Sequence, residues 1–193
     1  MKVTREELIR TAIRLFREEG YQNVTVSKIC EACGVTKGSF YHHFDSKDEI
    51  ILQYWKDSSL RTNDQTLRIL AKELSPKEKT WQILEIGINA AIDDIGRESM
   101  AELWRVDLAK GNRVLSAESF LDGPGLDPTY SSILIELIRQ AQSSGEIRNP
   151  GEPRDLLFTF YSALFGASVN WSNRAEENDV KADLKAIFDI IFY

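Results

Sequence analysis

Signals that begin and end helices recur along the whole chain, and they constrain its fold more than any other feature. Three residue pairs have the spacing of capping boxes, in which each side chain accepts a hydrogen bond from the other residue's backbone: Thr4 with Glu7, Ser46 with Glu49 and Ser75 with Glu78. Glycines that can end helices follow several apolar-periodic segments, at positions 20, 34, 96 and 145. No segment shows the sustained two-residue alternation that predicts a half-buried strand. The sequence therefore predicts an all-α fold.

These signals divide the chain into about nine helices in two groups. Three short helices occupy the first 47 residues, and six longer ones follow. The main irregular stretch is expected between Gly111 and Gly125. We therefore expect a three-helix N-terminal domain over residues 1–47 and a larger helical domain over residues 48–193.

The charge of the chain does not by itself indicate a nucleic-acid partner. The net charge is −6, and residues 1–50 contain eight Lys or Arg against eight Asp or Glu. With 42% hydrophobic residues and five prolines, the chain is expected to be globular. Residues 1–20 are charged and periodic, unlike a signal peptide. The longest uncharged run, Leu156 to Asn173, is shorter than the about 20 apolar residues that span a bilayer. A cytoplasmic protein with no membrane partner is therefore expected.

The stretch CEACGVTKGSFYHHF contains both cysteines and both histidines of the chain, Cys30, Cys33, His42 and His43. Neighbouring histidines on a helix diverge by about 100°, and the interval from Cys33 to His42 does not match a zinc-finger spacing. We therefore predict no metal site and favour packing roles for the cysteines. A thiol- or metal-responsive sensor built on Cys30 and Cys33 is the alternative.

The residues between these apparent ligands predict a short helix, from about Lys37 to His43, with a buried and an exposed side. Phe40 and Phe44 fall on one side, where they can anchor the helix to the two before it. The rest of the surface presents a residue without a side chain, two hydroxyls and an imidazole, from Gly38, Ser39, Tyr41 and His42. Such a surface suits close approach to phosphates and to base edges in a major groove. With the preceding helix and the turn at Gly34, it predicts a helix-turn-helix.

The chain resembles the tetracycline-repressor (TetR-type) family of transcriptional regulators over nearly its full length. The resemblance rests on VTVSKICEACGVTKGSFYHHFDSKDEI, Val24 to Ile50, preceded by a helix of the AIRLFREEGY kind. In the family motif, the positions of Cys30 and Cys33 are usually alanine, which agrees with packing. The resemblance implies a homodimer that binds double-stranded operator DNA of near-palindromic sequence, most often as a repressor.

The resemblance also implies roles for individual residues in the first domain. Thr25 and Ser27, at the start of the second helix, are expected to contact or position phosphate. Lys47, in the first turn of the fourth helix, is expected beside a phosphate as well. The expected reading surface consists of Thr36, Lys37, Gly38, Ser39, Tyr41 and His42.

The second domain is expected to supply the dimer contacts and a cavity for an unidentified small-molecule effector. The last two helices would pair with a second subunit through Leu156, Leu157, Phe160, Ala163, Leu164, Ala167, Leu184, Ile187, Phe188 and Ile191. Aromatic and polar candidates for the cavity are Trp81, Asn89, Trp104, Asp107, Tyr130, Phe158 and Tyr161. Effector binding would shift the fourth helix and lower DNA affinity. No cofactor and no enzymatic activity are expected, because the chain lacks a nucleophile–base–acid pattern and a glycine-rich phosphate loop.

Overall fold

The computed structural model describes residues 4–111, 114–122, 128–173 and 179–193, which form helices and turns with no strand among them. The α-helices are α1 (Arg5–Glu19), α2 (Val26–Cys33), α3 (Lys37–Tyr41), α4 (Lys47–Leu70), α5 (Pro76–Asn89), α6 (Arg97–Lys110), α7 (Ala117–Asp122), α8 (Pro128–Ser143), α9 (Pro153–Asn173) and α10 (Val180–Ile191). A 3₁₀ turn, Tyr21–Asn23, precedes α2, and a π-helix, Ala90–Ile95, continues α5. The all-α prediction is confirmed.

Hydrogen bonds at the helix ends follow much of the predicted pattern. Two of the three predicted capping boxes form, at the starts of α1 and α5, and the third, at the start of α4, forms only in part. Ser46 accepts from the third backbone N–H after it at 3.3 Å, but Glu49 reaches back to the N–H of Asp45 at 2.7 Å. Gly34 ends α2 in the left-handed conformation, with φ of 66°, which glycine adopts without strain. The chain therefore turns sharply from α2 into α3.

The helix α7 was not predicted, and the stretch that contains it was expected to be irregular. Its start is capped by Ser116, whose hydroxyl accepts from the N–H of Ser119 at 3.1 Å. The helix packs against α9, and Phe120 and Leu121 are buried. Six residues are too few to show a helical period in a sequence, so tertiary packing decides the structure here.

The first three helices and the start of α4 surround a small apolar core. The helix α1 packs against α2 and α4, and α2 packs against α3. Phe16, Ile29, Phe40 and Phe44 are at most 2% exposed, and the rings of Phe40 and Phe44 lie 5.7 Å apart. Because α3 is held from one side by these two rings, its other side faces solvent.

The helix α9 is central to the rest of the chain, where it packs against α6, α7, α8 and α10. Aromatic rings connect these helices: Phe120 lies 5.2 Å from Tyr161 and 4.9 Å from Phe165. Phe160 lies 6.0 Å from Phe188 of α10. Within the described parts of the chain, no helix combines the length and apolar character needed to cross a membrane.

A polar cluster joins α6 to the 3₁₀ turn and to the start of α4. The Tyr21 hydroxyl donates to the carboxylate of Asp48, and the guanidinium of Arg105 lies 3.6 Å from the same carboxylate. Arg105 Nε donates to Glu102 at 2.8 Å, and Glu102 accepts from Gln22 at 3.3 Å. Burial and the adjacent Asp48 carboxylate raise the pKa of Tyr21. We call these residues, Tyr21, Gln22, Asp48, Glu102 and Arg105, the α6 junction.

Candidate nucleic-acid interface and cavity

Two threonines set the geometry of the α2–turn–α3 unit. Each caps one helix: Thr25 and Thr36 accept from the backbone N–H three residues on, at 3.2 and 3.1 Å. The turn between the helices is closed by the N–H of Val35, which donates to the carbonyl of Cys30 at 2.9 Å. The hydroxyl oxygens are thus used within the chain, while their protons can still be donated to a phosphate oxygen.

The predicted reading surface is exposed in the structure. The exposed residues of the predicted DNA interface are Thr25, Ser27, Thr36, Lys37, Gly38, Ser39, Tyr41 and His42. Tyr41 is 52% exposed, although its ring meets that of Phe40 edge-on at 5.4 Å, so it is not a core residue. All eight belong to the α2–α3 unit, and their contact with DNA stays a prediction.

Gly38 is not required by the packing of the protein itself. A Cβ built at this position would have only Thr36 Oγ1 within 4 Å, at 3.7 Å, which is an ordinary van der Waals distance. The backbone of Gly38 also avoids the positive φ values that favour glycine. A glycine in a helix costs up to about 1 kcal/mol relative to alanine. Close approach of another molecule to α3 is therefore a physical reason for a glycine here.

Lys47 has a structural role that the sequence did not indicate. Its ammonium donates to the carbonyls of Tyr21 and Val24 at 2.9 and 3.0 Å, and it lies 4.1 Å from the centroid of the Tyr21 ring. Two of its three N–H donors are thus used to fasten α4 to the turn before α2. Any contact with phosphate would be made in addition to this role.

The cysteines and histidines of this unit do not converge on one site. Cys30 is 4% exposed, Cys33 is half-buried, and both are free thiols. Burial raises the pKa of the Cys30 thiol, whereas a reactive thiol needs a lowered pKa. His42 is exposed and His43 is half-buried. Among the described residues, no group of three or more His, Cys, Asp or Glu side chains could hold a metal ion. The structure offers no support for the thiol- or metal-sensing alternative.

A mainly apolar cavity of about 60 Å³ lies between α4, the α5 segment with its π-helix, and α6 to α9. Its polar or aromatic wall residues include Trp55, Phe120, Tyr130, Tyr161, Phe165 and Ser168. Cavities that bind small molecules commonly measure roughly 300–1,000 Å³. In this state, the cavity is therefore too small for a drug-sized molecule and would have to widen to admit one.

Two of the seven predicted ligand-binding residues, Tyr130 and Tyr161, line this cavity. Trp104 lies behind the wall, where its Nε1 donates to Ser168 at 3.1 Å and its ring meets Phe165 edge-on at 5.6 Å. The candidates that lie outside the wall are Trp81, Asn89, Asp107 and Phe158.

Contacts explain why three of these candidates lie elsewhere. Trp81 packs on Phe188 of α10, with ring centroids 5.1 Å apart. Asp107 is buried and accepts from the backbone N–H groups of Val114 and Leu115, at 3.0 and 3.3 Å. Phe158 is 38% exposed. Trp81 and Asp107 therefore hold helices and a loop in place.

Sequence reasoning missed several residues of the cavity wall. Phe165 lies one helical turn after Tyr161 on α9, so the spacing of the two aromatic residues could have indicated it. Phe120 lies in the stretch predicted to be irregular, and Trp55 lies on α4, where its spacing gives no sign of a cavity. The wall is assembled by tertiary contacts that no local signal reveals.

Half of the predicted dimer residues are already buried inside one chain. Those that are 0–7% exposed are Leu156, Leu157, Phe160, Leu184 and Phe188. These five side chains leave little surface for a second subunit, and the dimer interface as a whole stays a prediction. The half-buried residues are Ala163, Leu164, Ala167, Ile187 and Ile191, of which Leu164 lines the cavity. The large apolar side chains that do face outward on these helices are Phe158, at 38%, and Ile190, at 72% exposed.

Comparison with known proteins gives a family match near the N-terminal end and a relative over most of the chain. Residues 8–54 match the family model described as bacterial regulatory proteins, tetR family. Over 187 residues, the chain is 24% identical to the probable acrEF/envCD operon repressor of Escherichia coli, covering 96% of this chain and 84% of that protein.

Solved structures with the same fold include two ligand complexes. FadR of Thermus thermophilus, a TetR family transcriptional repressor in complex with lauroyl-CoA, gives a TM-score of 0.67 at 19% identity and covers 97% of this chain and 93% of that one. AibR in complex with isovaleryl coenzyme A and operator DNA gives a TM-score of 0.59 at 21% identity, with 97% of each chain covered. Likeness at these identities establishes the fold.

Proposed function

Because the chain belongs to the TetR family of bacterial regulatory proteins, we propose that it is a transcriptional repressor that binds a near-palindromic operator as a homodimer and is released by a small-molecule effector. The observation that carries this proposal is the solvent-facing side of α3. There, Gly38, Tyr41 and His42 are exposed, whereas the anchors Phe40 and Phe44 are buried.

DNA contacts would be made by α3 and by the capped start of α2. The helix α3 has five residues, so it is about 7 Å long and reaches only a few base pairs. The hydroxyls of Thr25 and Thr36 and the ammonium of Lys37 would meet phosphates, while Ser39 and His42 would face base edges or the backbone. A second copy of α3 about 34 Å away, one turn of DNA, would supply the remaining contacts.

The outward face of α9 and α10 supports the homodimer. Phe158 and Ile190 expose large apolar surface on these two helices. Gly166 lies two turns after Phe158, and an added Cβ there would meet nothing within 4 Å, so a helix of a second subunit could approach closely. The half-buried Ala163 and Ala167 lie beside it. Two such helix pairs would form a four-helix bundle across a two-fold axis.

Two helices connect the cavity to the DNA-binding unit, which supports release by an effector. On α4, Trp55 lines the cavity and lies about 10 Å along the helix from Asp48. On α6, Met100 lines the cavity and lies about 8 Å along the helix from Arg105. Asp48 and Arg105 meet in the α6 junction. An effector that widens the cavity would displace both helices at this junction and change the separation of the two α3 helices.

The similar proteins agree with effector control. FadR of Thermus thermophilus was solved with lauroyl-CoA, and AibR with isovaleryl coenzyme A and operator DNA. Ligand and DNA binding in those proteins support, for this chain, a regulator that responds to a small molecule.

Selection of binding sites from random double-stranded DNA tests the proposal. We expect a near-palindromic consensus, and a linear fall of log affinity with log salt concentration. Tyr41→Ala should weaken binding to the selected duplex while the protein stays a dimer. Tyr193→Ala is the matched control, because Tyr193 is a tyrosine of similar exposure, 57% against 52%, outside the α2–α3 unit. Failure to enrich any sequence, or equal loss in the two variants, would contradict the proposal.

A further inference from the structure

Two polar groups in the cavity wall have no hydrogen-bond partner. Among the described residues, the indole Nε1 of Trp55 and the hydroxyl of Tyr161 are buried without one. Trp55 is 8% exposed and Tyr161 is 2% exposed, and both line the cavity. Both rings pack on Phe120, with centroids 6.1 and 5.2 Å away. Buried polar groups are nearly always hydrogen-bonded, so two unpaired groups around one cavity require an explanation.

An indole and a phenol beside these two groups are satisfied, while the other described unpaired groups, the hydroxyls of Thr66 and Ser119, lie outside the wall. The hydroxyl of Tyr130, also in the wall, donates to the carbonyl of Ile83 at 2.8 Å. The indole of Trp104 donates to Ser168 at 3.1 Å. Burial alone therefore does not explain the unpaired state of Trp55 and Tyr161. Both unpaired groups can donate a hydrogen bond, and an indole N–H can only donate.

The remainder of the wall restricts the charge of a ligand. No charged side chain is among the described residues that line the cavity, and most of its surface is apolar. A carboxylate or an ammonium placed there would be desolvated without a partner of opposite charge, which is strongly unfavourable. Tyr161 does not supply a negative charge for an ammonium, because burial raises the pKa of its hydroxyl and keeps it protonated.

We propose that the Trp55 indole and the Tyr161 hydroxyl supply hydrogen-bond donors to an uncharged, otherwise apolar effector whose acceptor group is a carbonyl of the thioester, ester or ketone class. This inference rests on the proposed function and assigns the ligand chemistry of its cavity. The apolar part of the effector would lie against Phe120, Phe165 and Leu164. The π-helix, which contributes Ala90 and Ala91 to the wall, is the segment that would adjust as the cavity widens.

Calorimetric binding of straight-chain acyl N-acetylcysteamine thioesters tests the subsite, with the corresponding free carboxylic acids and alkylamines as matched probes. The thioesters should bind, and the acids and amines of equal chain length should bind more weakly. Tyr161→Phe keeps the ring and removes one donor, so thioester affinity should fall roughly two- to tenfold. Trp55→Phe should also lower thioester affinity, and both variants should lose preference for the thioester over the acid. Trp104→Phe should keep that preference.

Stability of the ligand-free protein separates a ligand subsite from a packing role. Tyr161→Phe removes an unpaired hydroxyl, so its melting temperature should be unchanged or raised. Tyr130→Phe removes a paired hydroxyl and should lower the melting temperature by roughly 2–4 °C. Absence of thioester binding, acids binding as well as thioesters, or unchanged thioester affinity in Tyr161→Phe would overturn the subsite. Operator binding is measured separately without ligand, so failure of the proposed DNA function would be recognised independently.

Discussion

Replacing Gly38 with alanine is expected to stabilise the protein and to weaken its operator binding. The added methyl group would meet only Thr36 Oγ1, at 3.7 Å, so the isolated protein accommodates it without a clash. Alanine at a compatible position stabilises a protein by about 0.4–1 kcal/mol, chiefly by restricting the unfolded chain. The same methyl between α3 and DNA would overfill the interface, which typically costs about 1–3 kcal/mol. Operator affinity should therefore fall roughly five- to 150-fold for each reading helix.

Two measurements on the same preparation check that stability rises while operator affinity falls. Urea unfolding gives the change in stability, and fluorescence anisotropy with a labelled operator duplex gives the change in affinity. Gly87→Ala is the matched control, because Gly87 lies in the last turn of α5 and a Cβ added there would meet nothing within 4 Å. Gly87 lines the cavity, so the comparison is made without effector. The control should gain stability and keep its operator affinity.

A Gly38→Ala protein that is stabilised yet binds the operator as tightly as the parent would refute close approach of DNA at this position. Loss of stability in Gly38→Ala, with a gain in Gly87→Ala, would instead contradict the open environment of Gly38 in the folded chain. Both outcomes are distinguishable because the two variants make the same chemical change on helices with ordinary φ values.

Three further substitutions or reactions test other parts of the structure. Arg105→Met removes the ionic contact with Asp48 in the α6 junction. Operator affinity should stay within a few-fold of the parent, but effector should release the operator less effectively. An unchanged operator-release titration would exclude a coupling role for this contact. Ile190→Asp should dissociate the dimer in sedimentation experiments, because it places a charge at an apolar position that is 72% exposed in one chain. A dimer of parental affinity would place the interface elsewhere. Cys30 should react with a thiol reagent more slowly than Cys33 in the folded protein, because burial raises the pKa of Cys30; equal rates, followed by mass spectrometry, would contradict this.

The α2–α3 unit could be predicted from sequence because its determinants are local. The caps at Thr25 and Thr36 and the anchors Phe40 and Phe44 act within a few residues, so spacing alone reveals them. By contrast, Lys47 bonds to carbonyls more than twenty residues earlier in the chain, and its fastening role depends on how α4 packs on the turn. A cation near a helix start gives no sequence signal that distinguishes a carbonyl partner from a phosphate.

The two sides of α9 could not be distinguished from sequence for a related reason. The helix carries apolar residues on most of its circumference, so the amphipathic pattern does not identify an outward face. Only tertiary contacts show that Leu157 and Phe160 face the core, while Phe158 faces outward. The cavity depends on the same contacts, since its wall is drawn from six α-helices and a π-helix, including α7, which periodicity did not reveal.

The unpaired groups in the cavity also bear on the energy of switching. A ligand shifts an equilibrium between two states only by its difference in affinity for them. Each unpaired buried donor costs about 1–3 kcal/mol. An acceptor that reaches Trp55 and Tyr161 therefore removes a cost that the ligand-free protein carries. Coupling between effector and DNA sites is typically about 1–3 kcal/mol, which two such bonds are sufficient to supply. Because Trp55 lies on the helix that also carries Asp48, widening of the cavity around the ligand would act directly on the α6 junction and on the spacing of the reading helices.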